Sequence, residues 1–432
     1  MLERYKAATQ KSAKLWDRAL RVFAGGVNHN IRTFGLDKCG AYPPFIAKGE
    51  GCHIWDVDGN EYIDFWMTHY AQILGHNNPA VGKALRRQLE NGIHFGGMGE
   101  SQVVLAEKMQ SAVPMLRKMR FCTTGSESTM YATRLARLFT KKPLVAKARG
   151  GWHGGNDSLG YHLKYPFTDD PFFEGVSFDY NDTASFDQML AKNKDDLAAV
   201  IIEPVLGAGG GLPPEPEFLP HLREQTERHG ILLIFDEIIT GFRICYGSAG
   251  VNVFGVEPDL ITLGKIAGGG MPLGVYGGRE DIMALAKPGA EASRWVGGGT
   301  FSSHPLTMAT GIAALGELHK LRNEYQKLNQ RGDAFRSRIN TLFSDNGFIA
   351  LATGTGSIVF INALKNMIQP PYTAQKIGEA FDSNRLDRFQ GTIMEEGVFG
   401  YHGLGALSFS HSTRDLDRTI DAIEVAVKAI RN

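Results

Sequence analysis

The chain has 432 residues, 43% of them hydrophobic and 21% charged, enough apolar material for a large buried core in two or three domains. Lys and Arg together number 46, as do Asp and Glu, so the formal net charge is zero and no basic excess points to nucleic acid or an anionic membrane. Cys39, Cys52, Cys122 and Cys245 lie far apart without a C-x-x-C pair, which argues against a zinc knuckle, a redox motif or a disulfide scaffold, and no metal is expected.

The first twenty or so residues mix charged and apolar side chains without a leader-like apolar core. No apolar run reaches membrane-spanning length, so a cytoplasmic location is the default expectation. Leu2 to Val22 has the spacing of an amphipathic helix that Gly25-Gly26 breaks, and a polar loop with Asn28, His29, Asn30 and Arg32 follows. Cys52 to Phe65 alternates around Asp58-Gly59-Asn60, the composition of a two-stranded hairpin. Helical stretches then alternate with apolar runs at Leu197 to Ile202, Ile231 to Phe235, Leu260 to Leu263 and Leu273 to Tyr276, which reads as an α/β domain around a mostly parallel sheet. After a helix around Leu306 to Leu321, strands at Ser357 to Asn362 and Ala406 to Phe409 and a helix at Thr413 to Ile430 read as a smaller α+β domain. The expected divisions are an N-terminal segment 1–66, a large domain 67–318 and a small domain 319–432.

Ile231 to Ile238 places Asp236 and Glu237 at the carboxyl end of a buried strand, where ligands sit in open α/β sheets, and an acidic pair there needs a cationic partner. A protonated pyridine nitrogen would serve, because a carboxylate beside it keeps the ring an electron sink. Leu260 to Gly264 is a further apolar strand running into Lys265; a desolvated amine there has a lowered pKa and can form an imine with an aldehyde. Met119 to Cys122 leads through Thr123-Thr124-Gly125-Ser126 into a helix, so backbone N–H groups and the helix dipole make a phosphate seat. The Trp152 indole could stack on a flat ring, and Gly298-Gly299-Thr300-Phe301 could reach phosphate oxygens.

Taken in order, Thr124-Gly125-Ser126-Glu127, Trp152-His153-Gly154, Glu203-Pro204-Val205, Phe235-Asp236-Glu237, Leu263-Gly264-Lys265 and Gly299-Thr300-Phe301 resemble the class III aminotransferases of fold type I. The likeness runs from Gly25-Gly26-Val27-Asn28 to Ala406-Leu407-Ser408 and is strongest toward the glutamate-1-semialdehyde 2,1-aminomutase-like branch. It implies pyridoxal 5'-phosphate (PLP) as cofactor, Lys265 as Schiff-base lysine and proton shuttle, and Asp236 on the pyridine nitrogen. It further implies Ile238 beneath the ring, Gly125 and Ser126 on the phosphate, Trp152 as stacking partner and Glu203 among the cofactor residues. Thr300 would reach the phosphate of a neighbouring subunit's cofactor, which implies a homodimer with shared sites.

Gly25 to Arg32 reads G-G-V-N-H-N-I-R where the aminomutases have G-G-V-N-S-P-V-R, so the resemblance carries Arg32 over as receiver of a substrate carboxylate. Elsewhere the chain departs from that branch: Thr68-His69-Tyr70 stands for S-W-G, Ala208 for an asparagine, and His402 to Ala406 for the segment holding F-E-A. The departures favour transamination of an amino acid, possibly a bulky, D- or β-amino one, with His69, Tyr70, Trp152 and Phe301 as pocket walls, over the aminomutase reaction; an amino-acid racemase or epimerase is an alternative that the sequence does not separate from transamination. A catalytically silent PLP-fold protein is disfavoured by the intact lysine, aspartate and phosphate seat. A nicotinamide-dependent dehydrogenase is disfavoured because Gly207 to Gly211 misses G-x-G-x-x-G and runs into Pro213-Pro214.

Overall fold

The computed structural model describes residues 2–168 and 175–430, so the outermost ends of the expected segments, residues 1, 431 and 432, lie outside it. The chain groups into two compact units. One comprises Met1–Asn78, Leu328–Ile368 and Ala380–Asn432; the other comprises Pro79–Lys327 and Gln369–Glu379.

The second unit is built on a seven-stranded sheet. Its spatial order is Lys118–Cys122, Gly274–Gly278, Leu260–Gly264, Leu232–Asp236, Leu197–Ile202, Leu144–Ala148 and Val176–Phe178. Gly274–Gly278 runs antiparallel to both neighbours, while the pairs from Leu260–Gly264 to Val176–Phe178 are parallel. Every residue of Leu197–Ile202 and of Leu232–Asp236 is buried, as continuous apolar runs require when both faces of a sheet are covered. Helix Gly125–Thr140 packs Ala132, Leu135 and Ala136 into a core with Ile201, Ile234 and Leu260. Parallel strands send their carboxyl ends to one edge, so the residues just after Ala148, Ile202, Asp236 and Gly264 emerge side by side.

The first unit holds a four-stranded sheet of Ile46–Glu50, His53–Asp56, Glu61–Asp64 and Val398–Phe399, and a three-stranded one of Ala350–Thr353, Ile358–Ala363 and Gly405–Ala406. The expected hairpin is present, with His53 paired to Ile63 and Trp55 to Glu61. The closing helix spans Thr413–Ile430. Two local expectations change. The opening helix is broken at Thr9 into Glu3–Ala8 and Gln10–Val22, and the strand expected over Ala406 to Phe409 is confined to Gly405–Ala406. Its remaining backbone bonds elsewhere, Leu407 N–H to Ser357 and Phe409 N–H to Ile73.

The hairpin runs into an unusual turn. Met67, Thr68, His69 and Tyr70 all have positive φ, from 42° to 65°, making one turn of left-handed helix without a glycine. Such a conformation costs L-residues about 1–2 kcal/mol each, so the surroundings must impose it. Asp64 accepts the Met67 N–H at 2.9 Å, Tyr70 N–H returns to Trp66 O at 3.0 Å, and Gln72 N–H to Met67 O at 3.0 Å. The Met67 and Tyr70 side chains are buried, and the Tyr70 ring stacks on Phe360 with centroids 5.8 Å apart. Thr68 is exposed and β-branched, and gains nothing from packing in return. Replacing Thr68 by Asn, which tolerates this region, should raise the unfolding free energy by about 0.5–1 kcal/mol in denaturant titration; a loss of stability would contradict the strain assigned here.

Candidate active site

Asp236 ends the Leu232–Asp236 strand and is only 4% exposed. Its Oδ2 lies 2.8 Å from His153 Nδ1, and its Oδ1 accepts from Thr262 Oγ1 at 3.1 Å and Ile238 N at 3.2 Å. Burial holds the His153 imidazole below the usual histidine range, with Asp236 pulling the other way. A neutral ring donating Nδ1–H to Asp236 fits both facts. His153 Nε2 is buried and has no hydrogen-bond partner among the described residues.

The expectation that Glu237 joins Asp236 as a paired carboxylate does not hold. Successive residues leaving a strand face opposite ways, and Glu237 turns to the loop over 240–250, accepting from Ala249 N at 2.7 Å, Gly250 N at 3.0 Å, Thr240 Oγ1 at 3.1 Å and Ser248 Oγ. It anchors that loop, and Asp236 alone belongs to the site.

Beside Asp236, Glu203 follows the Leu197–Ile202 strand; it accepts Trp152 N–H on Oε1 at 3.0 Å and Gly207 N–H on Oε2 at 3.1 Å. Burial, reinforced by the Asp236 charge, pushes its carboxyl up to about 8. Lys147, wholly buried in the Leu144–Ala148 strand, donates Nζ to Gly151 O at 2.8 Å and lies over the Tyr161 ring at 5.1 Å. Burial brings its ammonium down to about 7, against the pull of Glu203. The segment Gly151-Trp152-His153 is thus fixed at three successive residues, by Lys147, Glu203 and Asp236. Trp152 itself is left 47% exposed.

Lys265 follows the Leu260–Gly264 strand at φ 43°, a left-handed conformation that a lysine adopts only when held. Thr262, three residues before it, is the register partner of Asp236. Burial lowers the Lys265 ammonium below the usual lysine range, while Asp236 and Glu203 pull it back up. Burial outweighs that pull, and a desolvated amine is the setting in which lysine becomes a nucleophile.

Helix Gly125–Thr140 is capped by Thr124, whose hydroxyl accepts the Glu127 N–H at 3.2 Å while the Glu127 carboxylate accepts from Thr124 N at 2.9 Å. Gly125 and Ser126 open the first turn. A Cβ on Gly125 would come within 3.2 Å of Ile238, and one on Gly264 within 3.1 Å of the same side chain. Ile238 therefore lies between the helix start and the strand leading to Lys265. Ser126 Oγ accepts Gly155 N–H at 3.0 Å, which leaves its own proton to donate. Thr300 is exposed, after Gly297, Gly298 and Gly299, all with φ between 100° and 120°.

These features fit PLP: a helix start with open N–H groups for a phosphate, a carboxylate for a ring nitrogen, an aromatic face, an aliphatic one and a desolvated amine. The remaining expected residues lie in the other unit. Arg32, in the short turn Asn30–Thr33, is exposed. The His69 ring stacks on Trp66 at 4.4 Å and meets His29 edge-on at 6.0 Å, whereas Tyr70 is 1% exposed. Sequence reading assigned no role to His153 or Lys147. A buried lysine inside an apolar strand, between Ala146 and Ala148, was the available signal for the latter.

Because Glu203 binds its proton more tightly folded than unfolded, its contribution to stability is complete below the ordinary value of 4.5 and is lost as pH rises to about 8. Lys147 contributes the opposite slope, and losing the pull of Glu203 in Glu203→Gln starts that rise at lower pH, which adds to the same difference. Thermal unfolding of cofactor-free protein across this range should show wild type losing stability relative to Glu203→Gln as pH rises; parallel profiles would contradict the assignment.

The class-III aminotransferase family profile matches residues 38–380. A glutamate-1-semialdehyde 2,1-aminomutase of Methanosarcina acetivorans is 37% identical over 428 residues, covering 95% of this chain and 97% of the relative. Among solved structures, an omega-transaminase from Sphaerobacter thermophilus superposes with a TM-score of 0.87 at 32% identity, covering 98% of both chains. A beta-phenylalanine aminotransferase from Variovorax paradoxus superposes at 0.88 with 30% identity, covering 99% of this chain and 95% of its own. The sequence relatives weigh for the aminomutase alternative more than for transamination, the main expectation. A solved transaminase of the same fold carries the cofactor that the site fits. This chain belongs to the class-III aminotransferases, and it is a PLP-dependent enzyme of the aminotransferase and aminomutase type.

Proposed function

We propose that the chain transfers an amino group between a carboxylate-bearing amino acid and a keto acid. The arrangement carrying this reading is Lys265 and Asp236 at the carboxyl ends of adjacent parallel strands, with Asp236 backed by His153. Bound PLP supplies an electron sink that acidifies the substrate carbon next to nitrogen. Lys265 Nζ would hold the cofactor through its carbonyl carbon and would move a proton to and from the substrate carbon. Asp236 keeps a proton on the ring nitrogen. Ser126 and the first-turn N–H groups would hold the phosphate, and Trp152 and Ile238 would supply aromatic and aliphatic surface to the ring. Arg32 receives the substrate carboxylate, and His69 and Tyr70 shape the pocket.

Thr300 acts at the cofactor phosphate of a second copy, making the working form a homodimer. Large exposed apolar side chains at Ile93, Phe95, Met98, Trp295 and Phe301 support burial against another chain.

Transamination is preferred because side chains that touch substrate choose the reaction on a shared scaffold. Thr68-His69-Tyr70 and Ala208 differ from the aminomutase pattern, and the first three occupy the strained turn. The aminomutase reaction is the second reading, supported by the curated relatives at 34–37% identity. Assaying a panel of α-, β- and D-amino acids with and without keto acid separates the two. Transamination requires both partners. Turnover of glutamate 1-semialdehyde alone would establish the second reading, and turnover of single enantiomers without acceptor would indicate racemisation. Lys265→Ala should lose turnover by several orders of magnitude while folding normally, and Arg32→Ala should raise KM for carboxylate donors by about 10-fold or more, the scale of a lost charge-assisted hydrogen bond. Unchanged kinetics in either variant would overturn its role.

A further inference from the structure

Away from these residues, Cys52, His53 and Asp415 bring a thiol, an imidazole and a carboxylate together, with one potential ligand atom from each all within 4.8 Å of one another. Cys52 and His53 stand where Ile46–Glu50 turns into His53–Asp56, while Asp415 lies in the first turn of Thr413–Ile430. Cys52 and Asp415 are buried, and His53 is partly exposed.

Two spacings, each to a different oxygen of the one carboxylate, come close to ligand–ligand edges of a coordination polyhedron. Cys52 Sγ lies 3.5 Å from Asp415 Oδ2, and His53 Nε2 lies 3.3 Å from Asp415 Oδ1. With metal–sulfur bonds of about 2.3 Å and metal–nitrogen or metal–oxygen bonds of about 2.0–2.2 Å, tetrahedral edges come to about 3.6 Å and 3.4 Å. Ser412 orients the carboxylate, donating N–H at 2.8 Å and Oγ–H at 2.7 Å to Oδ2. On the far side of the imidazole, Glu61 Oε1 stands 2.7 Å from Nδ1, yet this buried nitrogen makes no aligned hydrogen bond. A small rotation of the ring would give Nδ1–H to Glu61 and leave the Nε2 lone pair for an ion, the carboxylate–histidine–metal arrangement. Without a cation, two carboxylates flank one imidazole beside a thiol that burial and Asp415 push up to about 12.

We propose that Cys52, His53 and Asp415 form a site for one divalent zinc-type ion, with solvent in the fourth position and Glu61 as outer-shell partner of His53. Thiolate, imidazole and carboxylate together select a borderline-soft ion over magnesium or calcium. Binding forms the S–metal bond as the thiol proton leaves to solvent, with no change of oxidation state. The ion ties the hairpin to the start of the closing helix, two places 363 residues apart, so its effect is on stability and is independent of the proposed reaction.

The test uses the holoenzyme, stripped with chelator and equilibrated with zinc or cobalt(II). The wild type should retain one zinc ion per chain after buffer exchange, unfold at a higher temperature with zinc, and show a thiolate-to-cobalt band in the difference spectrum against metal-free enzyme. Cys52→Ser should abolish that band, and Cys52→Ser and His53→Asn should each weaken zinc binding by about 10-fold or more. Circular dichroism and retained cofactor verify folding of both variants. Failure of the wild type to retain zinc, or binding unchanged in both variants, would overturn the site and leave His53 as a bridge between Asp415 and Glu61.

Discussion

A carboxylate at the end of an apolar parallel sheet survives burial only if donors meet it, because losing water costs several kcal/mol that a lone charge cannot recover. Asp236 is met by His153, Thr262 and the Ile238 N–H. Each donor also fixes a part of the site. His153 places the loop carrying Trp152, Thr262 lies in the strand that delivers Lys265, and Ile238 supplies an apolar surface between Gly125 and Gly264. Orienting one charge therefore ties the Trp152 segment, the strand before Lys265 and the Ile238 backbone to one residue.

The same sheet buries two lysines with opposite assignments. Lys147 is wholly enclosed and spends its amine on a backbone carbonyl, so its lowered ammonium reflects enclosure. Lys265 keeps some surface open, sits in a strained backbone conformation and faces two carboxyl groups. Burial depresses both, yet they differ: one amine already has its partner within the fold, and the other is only partly buried and follows the carboxyl end of a strand. Glu203 links the two, sensed by both ammonium groups while holding the Trp152 backbone.

Much of this was legible in the residues. Continuous apolar runs marked the buried strands because both faces of that sheet are covered, and the strand-to-helix passage at Gly125 marked the helix start because small residues there leave N–H groups open. Other features were hidden for physical reasons. Asp236 and Glu237 are adjacent in sequence but face opposite ways, so spacing alone could not divide their tasks. His153 acquires its part only through contact with a residue 83 positions away. The left-handed turn at Met67 to Tyr70 has no glycine to announce it, since tertiary hydrogen bonds and the buried Met67 and Tyr70 side chains impose it.

Lys265, and not another buried amine, is proposed to hold the cofactor. Reducing PLP-loaded enzyme with borohydride, digesting it and locating the added cofactor mass by peptide mass spectrometry tests this directly. One modified peptide is expected, carrying the mass on Lys265; modification of Lys147, or of no lysine in enzyme that has retained PLP, would contradict that assignment.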